Sequence, residues 1–412
     1  MKKVLATILA LVMALGLTTY AWADEGVTTA EALKTAVETG GEIKLGADIT
    51  LTSMLTIPAD KTVTLDLNGL SITSAGKVIK NNGILTITDT KGGGKIISTG
   101  NTAVGVGDNS KTTIKTAIIE SVEGAVITGY ATGATINIED GTFSASDNAV
   151  VAGNGNRTNE AGAERTVGNT INISGGTFNG QIKTSTYVAC GIYAPWKDTI
   201  KVTGGTFNIT GGAGIVARAG SVSVSNATIN TTGNATGKVG DSRVVVPCSA
   251  IVFDSEAAYP ALTNTSAISV ESGTFTSEAD AISVVKPEGE GAAERVSVTG
   301  GAYSNDVDAY VAANKIIQKD GNTYKVVADG AITSGTYTSE PTVPSGYKAT
   351  KNDDGTWTVS KVSYYYHQPT TDTKADDTKG SPKTFDAGIA LYVGMALTSA
   401  AGVAFTAKKR ED

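Results

Sequence analysis

One short pattern of apolar residues, glycine and an aromatic residue recurs along this chain. Its clearest copy is Ile136-Asn137-Ile138-Glu139-Asp140-Gly141-Thr142-Phe143. Further copies begin at Ile171, Ile200, Ile268 and Val296, a weaker one at Val222, and a fragment ends at Gly335-Thr336-Tyr337. Internal repeats of roughly 20 to 50 residues are typical of stacked architectures. The sequence therefore predicts a solenoid.

The shortest repeat predicts the shape of one coil. Ile200 and Val222 are 22 positions apart, and that stretch holds three strand-like pieces separated by glycines. The pieces are Ile200–Val202, Thr206–Ile209 and Gly214–Val216. Glycine supplies the positive φ that tight corners need. Three strands and three corners predict a parallel β-helix, with equivalent strands about 4.8 Å apart in successive coils.

Stacking in register predicts two inward ladders, because equivalent residues lie above one another. One ladder is Ile136, Ile171, Ile200, Val222, Ile268 and Val296. The other is Phe143, Phe178, Phe207, Ile229, Phe275 and Tyr303. Aromatic residues make up only 6% of the chain, and the second ladder places many of them at one inward position per coil.

The region before residue 136 follows the same plan less regularly. It contains Thr64-Leu65-Asp66-Leu67-Asn68-Gly69, a phrase that resembles right-handed parallel β-helix surface proteins with the pectate-lyase-like fold. The resemblance covers roughly residues 43–305. It implies an all-β fold, a right-handed parallel β-helix, and has little bearing on activity.

Smaller elements are predicted at both ends of the helix. Residues 24–42 contain a short capping helix over Thr28–Val37, with Thr28 or Thr29 at its start and Gly40-Gly41 at its end. Residues 306–363 are predicted to form a C-terminal β cap with two hairpins, which turn at Asp320-Gly321 and Asp354-Gly355. Residues 364–380, rich in Thr, Asp and Lys, are predicted to be a disordered linker.

The first 23 residues have the pattern of a secretory signal peptide. Lys2 and Lys3 precede the apolar run Val4–Leu17, and Ala21-Trp22-Ala23 fits a small-x-small cleavage site. The alternative is an uncleaved membrane anchor. Either way the body of the protein is expected outside the cell.

The C-terminal residues 381–412 resemble the sorting signal of Gram-positive surface proteins, usually Leu-Pro-x-Thr-Gly. The matching residues are Ser381, Pro382, Lys383, Thr384 and Phe385, followed by an uncharged stretch at 388–407 and a basic tail. Ser381 replaces Leu and Phe385 replaces Gly. The resemblance implies a transient partner, a sortase, which would join Thr384 to the cell wall. The alternative is a plain transmembrane helix at 388–407.

Composition argues against several functions. The net charge of −7 and the lack of a basic stripe argue against nucleic acid. The single histidine, His367, excludes a multi-histidine metal site or a histidine-based triad within the body. Carboxylates such as Asp140, Asp254 and Glu271 are scattered. No cofactor, metal site or catalytic residue is therefore predicted.

Coil lengths suggest where a binding surface could lie. The extra residues fall between the third strand of one coil and the first strand of the next, at Ala152–Asn169, Ala194–Thr199, Phe253–Ala267 and Val285–Arg295. Loops gathered on one edge of a solenoid often bind partners. Candidate residues for a glycan or host-surface ligand at this edge are Tyr193, Trp196, Tyr259, Arg157 and Arg165. The alternative is that Trp196 and Tyr259 only tether their own loops.

The two cysteines test the predicted stacking. Cys190 and Cys248 each precede a third strand, but their coils are two steps apart. Two steps are roughly 9.6 Å, beyond the Cα reach of a disulfide. Two free, buried thiols are predicted.

Together these features predict a secreted, wall- or membrane-anchored β-helix that acts as a non-enzymatic bacterial adhesin or scaffold. Two alternatives remain open from the sequence. One is a polysaccharide lyase or glycoside hydrolase on the same fold, and the other is a carbohydrate-binding surface protein. An enzyme would require acidic residues that converge on one face.

Overall fold

The computed structural model describes residues 25–363, apart from 157, 159–161, 182–187, 235, 240–244, 255–266, 286–294 and 331. The chain divides into two units, Met1–Val362 and Ser363–Asp412. The predicted signal peptide, linker, sorting signal and membrane span lie outside the described residues. Within the described part, no helix has the length and hydropathy needed to cross a membrane.

The described strands coil into a parallel β-helix of about nine turns. Each complete coil contributes one strand to each of three parallel faces, as the 22-residue repeat predicted. The first face contains β1 (Gly41–Lys44), β4 (Thr62–Asp66), β7 (Ile84–Thr88), β10 (Lys111–Ile114), β13 (Thr135–Ile138), β16 (Thr170–Ile173), β25 (Ala267–Val270) and β28 (Val296–Val298).

The second face contains β2 (Ile49–Leu51), β5 (Ser71–Ser74), β8 (Lys95–Ser98), β11 (Ile118–Ser121), β14 (Thr142–Ala145), β17 (Thr177–Gln181), β19 (Thr206–Thr210), β21 (Ala227–Thr232), β26 (Gly273–Ser277) and β29 (Ala302–Tyr303). The third face contains β3 (Leu55–Ile57), β6 (Ile79–Asn81), β9 (Thr102–Val106), β12 (Gly124–Ile127), β15 (Ala149–Ala152), β24 (Ile251–Asp254) and β27 (Ile282–Val285).

Two long strands join the first and third faces. β18 (Ala189–Val202) and β20 (Gly212–Val224) each run from the third face of one coil into the first face of the next. Strand pairing continues through this corner, so Ala194–Thr199 is strand and not the predicted loop. In β18 the change of face coincides with a register shift between Trp196 and Thr199, with Lys197 at a φ of 46°.

Both predicted ladders are confirmed by the strand register. Ile136, Ile171 and Ile200 are direct partners on the first face, and the ladder continues through Val222, Ile268 and Val296. On the second face the rings of Phe143 and Phe178 stack with centroids 4.8 Å apart, and those of Phe178 and Phe207 with centroids 4.4 Å apart. All these residues are buried. The ladders therefore form the continuous core of the stack.

The glycine of the repeat has two roles. Gly176 adopts a φ of 99° and Gly205 a φ of 98°, a region that side chains rarely adopt. A Cβ on Gly176 would also lie 3.2 Å from the ring of Phe143, and one on Gly205 would lie 3.3 Å from the ring of Phe178. The glycine thus turns the corner and gives the aromatic ring of the preceding coil room to pack.

The N-terminal helix is confirmed as α1 (Ala30–Thr39). Thr29 accepts a hydrogen bond from the backbone N–H of Ala32, and Gly40 ends the helix at a φ of 84°. Leu33 and Val37 are buried in the main core, and the helix contacts all three strands of the first coil. It therefore covers the apolar face that this coil would otherwise expose.

The phrase at Thr64–Gly69 forms a side-chain-supported corner. The Asp66 carboxylate accepts hydrogen bonds from the backbone of Asn68 and from both the backbone and the hydroxyl of Thr90. Asn68, at a φ of 52°, donates its side-chain amide to the Leu45 carbonyl. Each polar group reaches a neighbouring coil, so the corner also fixes the stacking distance.

The C-terminal cap continues the second face with antiparallel strands. They are β30 (Lys315–Asp320), β31 (Thr323–Ala328), β32 (Gly335–Tyr337), β33 (Tyr347–Lys351) and β34 (Trp357–Lys361). The first hairpin turns one residue later than predicted, because Asp320 pairs with Thr323 and leaves Gly321 and Asn322 in the turn. A 3-10 helix (Asp308–Tyr310) precedes the cap.

The insertion after β21 covers part of the outside of the third face. Its strands β22 (Gly237–Lys238) and β23 (Val245–Val246) form an antiparallel pair. Val239 and Val246 pack against Val216 and Val252, which point outwards from the helix. Cys190 lies in this second apolar cluster, and both cysteines are free and buried as predicted. Burial raises the pKa of the Cys190 thiol well above its usual range.

Truncation in the middle of the aromatic ladder tests its contribution. We expect Phe178→Ala to lower the free energy of unfolding by about 3–5 kcal/mol, because the ring is wholly buried between two others. Urea unfolding followed by far-UV circular dichroism measures the change. Thr142→Ala, at an exposed position, is the control and should change stability by less than about 0.5 kcal/mol. A loss below about 1 kcal/mol for Phe178→Ala would contradict the ladder's role.

Candidate functional site

The insertion between β15 and β16 lies at the predicted loop edge. Residues 153–169, which we call the strap, leave the third face and return to the first face; 157 and 159–161 are not described. Two hydrogen bonds tie its ends to the preceding coil: the side-chain amides of Asn154 and Asn169 both donate to the Ala131 carbonyl, each at 2.9 Å. The strap is therefore a packed element at both of its ends.

Asp198, in β18, fixes the strap from the following coil. Its Oδ1 accepts from the backbone N–H of Asn169 at 2.7 Å and from Arg165 at 2.9 Å, and its Oδ2 accepts from the backbone N–H of Asn154 at 2.5 Å. Arg165 also donates to the carbonyls of Asn154 and Asn156. Both side chains of the ion pair are fully buried. Burial raises the pKa of Asp198, and the donors from Asn169, Arg165 and Asn154 oppose that rise.

Trp196 packs beneath the same strap. The guanidinium carbon of Arg165 lies 5.0 Å from the centroid of the Trp196 ring, and the Lys197 ammonium lies 4.9 Å from it. Lys197 also donates to the Arg165 carbonyl at 2.9 Å. With 3% of its surface exposed, Trp196 holds the strap in place in this structure. A sugar could stack on this ring only after the strap had moved.

A second buried ion pair lies outside the third face. Arg218, in β20, donates to Asp254, in β24, at 2.5 Å, and Tyr193, in β18, hydrogen-bonds the same guanidinium. Burial alone would lower the pKa of Arg218, but Tyr193 and Asp254 raise it above its ordinary value. The phenol and the carboxylate are therefore bound to one permanent cation, and the half-buried Tyr193 is held against the outer cluster.

The structure describes three of the five residues predicted for the binding edge and brings two of them, Arg165 and Trp196, into contact. Tyr193 lies earlier on the strand that carries Trp196. Arg157 and Tyr259 lie outside the described residues, as do 255–266 and 286–294 from two of the predicted loops. Among the described residues, no group of three or more metal-ligating side chains is found.

Sequence reasoning missed a groove on the second face. It has a volume of about 570 Å³ and lies at the end of the strands, at the corner towards the third face. The lining comes from β8, β11, β14, β17 and β19 and the adjoining corners: Ile97, Ser98, Thr99, Glu120, Ser121, Val122, Ser144, Ala145, Ser146, Asn179, Gly180, Gln181, Asn208 and Thr210. Five coils correspond to a length of about 19 Å along the helix axis.

The groove exists because small residues occupy the last inward position of these strands. The column runs from Ser98 through Ser121, Ala145 and Gly180, and all four residues are buried and line the groove. In the next coil the same position holds Ile209, a large residue, and the groove ends there. The signal is present in the sequence, but it becomes visible only when the coils are aligned in register.

Residues with hydroxyl or amide side chains make up most of the groove's described lining. Asn208 donates to Asn179 at 3.3 Å, and Asn230 continues this row by donating to Asn208 at 3.1 Å. Glu120 is the one carboxylate among the described lining residues, and Lys95 donates to it at 3.1 Å. The surface therefore offers many hydrogen-bonding groups along a line and little net charge.

The described chain belongs structurally to the parallel β-solenoids, a class compatible with pectate-lyase-like proteins and with surface proteins. The chain matches no protein-family model, and no curated protein or solved structure is significantly similar to it. The features of the chain that bear on its function are the groove, the strap and the sequence at the two ends.

Breaking the buried ion pair beneath the strap tests that anchor. We expect Arg165→Met to lower the free energy of unfolding by about 3–5 kcal/mol, because it leaves the Asp198 carboxylate buried without its cation. Thermal and urea unfolding measure the change. Lys325→Met removes an exposed pair with Asp320 and should cost no more than about 1 kcal/mol. Equal losses in the two variants would show that the strap does not depend on Arg165.

Proposed function

We propose that this chain is a non-enzymatic bacterial adhesin or scaffold that is attached to the cell surface at its C-terminus. The observation that carries the proposal is the five-coil groove on the second face. A linear groove lined by hydroxyl and amide groups suits an extended polymer, which can make the same contacts again in each coil. The partner that fits this chemistry best is a glycan, because its hydroxyls both donate and accept hydrogen bonds.

The distribution of carboxylates supports binding without cleavage. Most glycoside hydrolases use two carboxylates on either side of the cleaved bond, separated by about 5 to 9.5 Å. Among the described residues, the groove offers only Glu120, which is paired with Lys95. The buried Asp198 and Asp254 are each bound to an arginine elsewhere. Cleavage of a bound glycan, lost in Glu120→Gln, would instead favour the polysaccharide lyase or hydrolase.

In this proposal, the cellular location follows from the sequence patterns at the two ends of the chain. The signal-peptide pattern at 1–23 directs export, and the sorting pattern at Ser381–Phe385 directs attachment after cleavage at Thr384. The stretch at 388–407 holds the chain in the membrane until the sortase acts. The β-helix is then presented on the outer surface of a Gram-positive cell.

Filling the groove tests the binding function. Ser144 points outwards at its centre, between Glu120 and Asn179 in neighbouring coils. We expect Ser144→Tyr to weaken glycan binding at least tenfold, because the ring occupies the groove without entering the core. Binding is measured on a glycan array with the full chain in mild detergent, with product analysis of each bound glycan.

The matched control is Asn137→Tyr, which points outwards from the first face of the same coil. It should bind as the parent does. If Ser144→Tyr binds every glycan as tightly as the parent, the groove is not the binding surface.

Attachment is tested at Thr384. Thr384→Ala should move most of the protein from the cell-wall fraction, released by a wall hydrolase, to the membrane fraction, because a sortase forms its bond at that threonine. Immunoblots of the two fractions measure the distribution, with Thr378→Ala in the linker as control. An unchanged distribution would favour the plain membrane anchor.

A further inference from the structure

Two columns of outward-facing residues form the walls of the groove. On each strand of the second face the two wall residues are separated by one inward residue, which places them about 6.6 Å apart along the strand. In β17 the wall residues are Asn179 and Gln181, on either side of Gly180. In the preceding coil they are Ser144 and Ser146. The walls therefore change, from one coil to the next, from short hydroxyl side chains to a pair of amides.

The side-chain amides of this face form a hydrogen-bonded row that ends at Asn179. Asn230 donates to the amide oxygen of Asn208 at 3.1 Å, and Asn208 donates to the amide oxygen of Asn179 at 3.3 Å. The Nδ2 group of Asn179 donates to no described residue. Amides in such a row polarise one another, which strengthens the donor at its end. The row therefore presents a strong N–H donor inside the groove.

A comparable row on the first face is closed at its end. There Asn172 donates to the amide oxygen of Asn137 at 2.9 Å, and Asn137 donates to the hydroxyl of Thr113 at 3.4 Å. On the second face the position next to Asn179 in the preceding coil holds Ser144, and these two described side chains share no hydrogen bond. The open donor is thus a property of the groove and not of asparagine rows in general.

A buried hydroxyl in the same part of the groove also lacks a partner. Ser146 lines the groove with 7% of its surface exposed, and its hydroxyl makes no hydrogen bond with any described residue. Two other serines of the groove are satisfied, because Ser98 donates to the Gly76 carbonyl and Ser121 to the Ser144 carbonyl. A buried polar group without a partner destabilises the folded chain. A polar ligand group that met Ser146 would remove that cost.

The described lining of the groove argues against two common modes of glycan recognition. It contains no lysine or arginine, and Glu120 is its one charged residue, so an anionic sugar would meet no opposite charge there. It also contains no aromatic residue, so a plain sugar ring has no aromatic face on which to stack. Recognition is left to hydrogen bonds, which favours a neutral ligand with strong donors and acceptors.

An acetamido group meets these conditions. Its carbonyl can accept from the open N–H of Asn179. Its own N–H lies on the opposite side of the planar amide and can donate to the side-chain oxygen of Gln181, which is exposed and hydrogen-bonds no described residue. We infer that the groove binds a neutral polymer of N-acetylated amino sugars, with one acetamido group between Asn179 and Gln181 and a sugar hydroxyl at Ser146. The inference rests on the proposed adhesive function and specifies its ligand.

A matched pair of ligands tests the acetamido group. N-acetylchitohexaose and cellohexaose have the same length and linkage, and they differ only in an acetamido or a hydroxyl group on each sugar. We expect the full chain in mild detergent to bind N-acetylchitohexaose at least tenfold more tightly than cellohexaose in isothermal titration calorimetry. An anionic hexasaccharide, hexagalacturonate, should also bind more weakly. Equal or tighter binding of cellohexaose or hexagalacturonate would overturn the inference.

Isosteric variants locate the acetamido group. Asn179→Asp keeps the acceptor for Asn208 and removes the open donor, so the affinity for N-acetylchitohexaose should fall to that for cellohexaose. Gln181→Met removes the acceptor and should reduce the preference, whereas Gln181→Glu keeps an acceptor and should retain it. Asn172→Asp, on the first face of the same coil, is the control and should bind as the parent does. A preference that survives unchanged in Asn179→Asp would contradict the inference.

The variant Ser146→Ala separates binding from stability. It removes a buried hydroxyl that has no partner, so the unfolding midpoint should not fall. The affinity for N-acetylchitohexaose should nevertheless fall several-fold, because the ligand loses its hydrogen bond. An unchanged affinity would refute the placement of the sugar at Ser146.

Failure of this inference can be told apart from failure of the proposed function. If cellohexaose binds as tightly as N-acetylchitohexaose and Ser144→Tyr abolishes both, glycan binding at the groove stands and the acetamido specificity is wrong. If the parent chain binds no glycan on the array, the proposed function fails and this inference fails with it.

Discussion

The spacing between coils is the constraint on which the rest of the structure depends. A coil of some twenty residues cannot bury its apolar side chains alone, and it becomes stable only when the next coil lies about 4.8 Å away. At that distance every residue lies over its equivalent, so each inward side chain must pack against the equivalent side chain of the next coil. Branched aliphatic residues do so at the first ladder, and flat rings do so from Phe143 to Phe207. Glycine at positions such as Gly176 gives those rings room.

The same constraint explains which parts of the fold could be predicted from the sequence. A residue repeated once per coil is visible in a single sequence, so the ladders and the three strands could be found. The helix at Ala30–Thr39 could be found from the threonine and glycine residues that cap it. The merged strand β18 could not, because nothing in Trp196-Lys197-Asp198 distinguishes a change of face from a loop. Lys197 takes the positive φ that glycine takes at other corners. The extra residues at Ala194–Thr199 therefore predicted a loop, whereas the strand continues through them.

Candidate sites were harder to predict because they form where side chains are small and leave space. Trp196 and Arg165 are large residues that stand out in the sequence, and the structure buries both of them, Arg165 within the strap and Trp196 beneath it. The groove arises from small residues aligned across coils, at Ser121, Ala145 and Gly180. In a solenoid, concave surfaces are made by columns of small side chains. Their detection requires the register first and the residue types second.

The anchoring of the strap has a consequence for how the chain is assembled. Arg165 is 33 positions before its partner Asp198, and Asn154 is 44 positions before it. The strap therefore leaves its own coil but is fastened by the next one. In a chain that emerges from a membrane with its N-terminus first, each coil can be laid on the one before it, whereas the strap must wait until β18 is outside. Under the proposed export, assembly would be sequential, and the strap would close only after β18 had followed it out of the membrane.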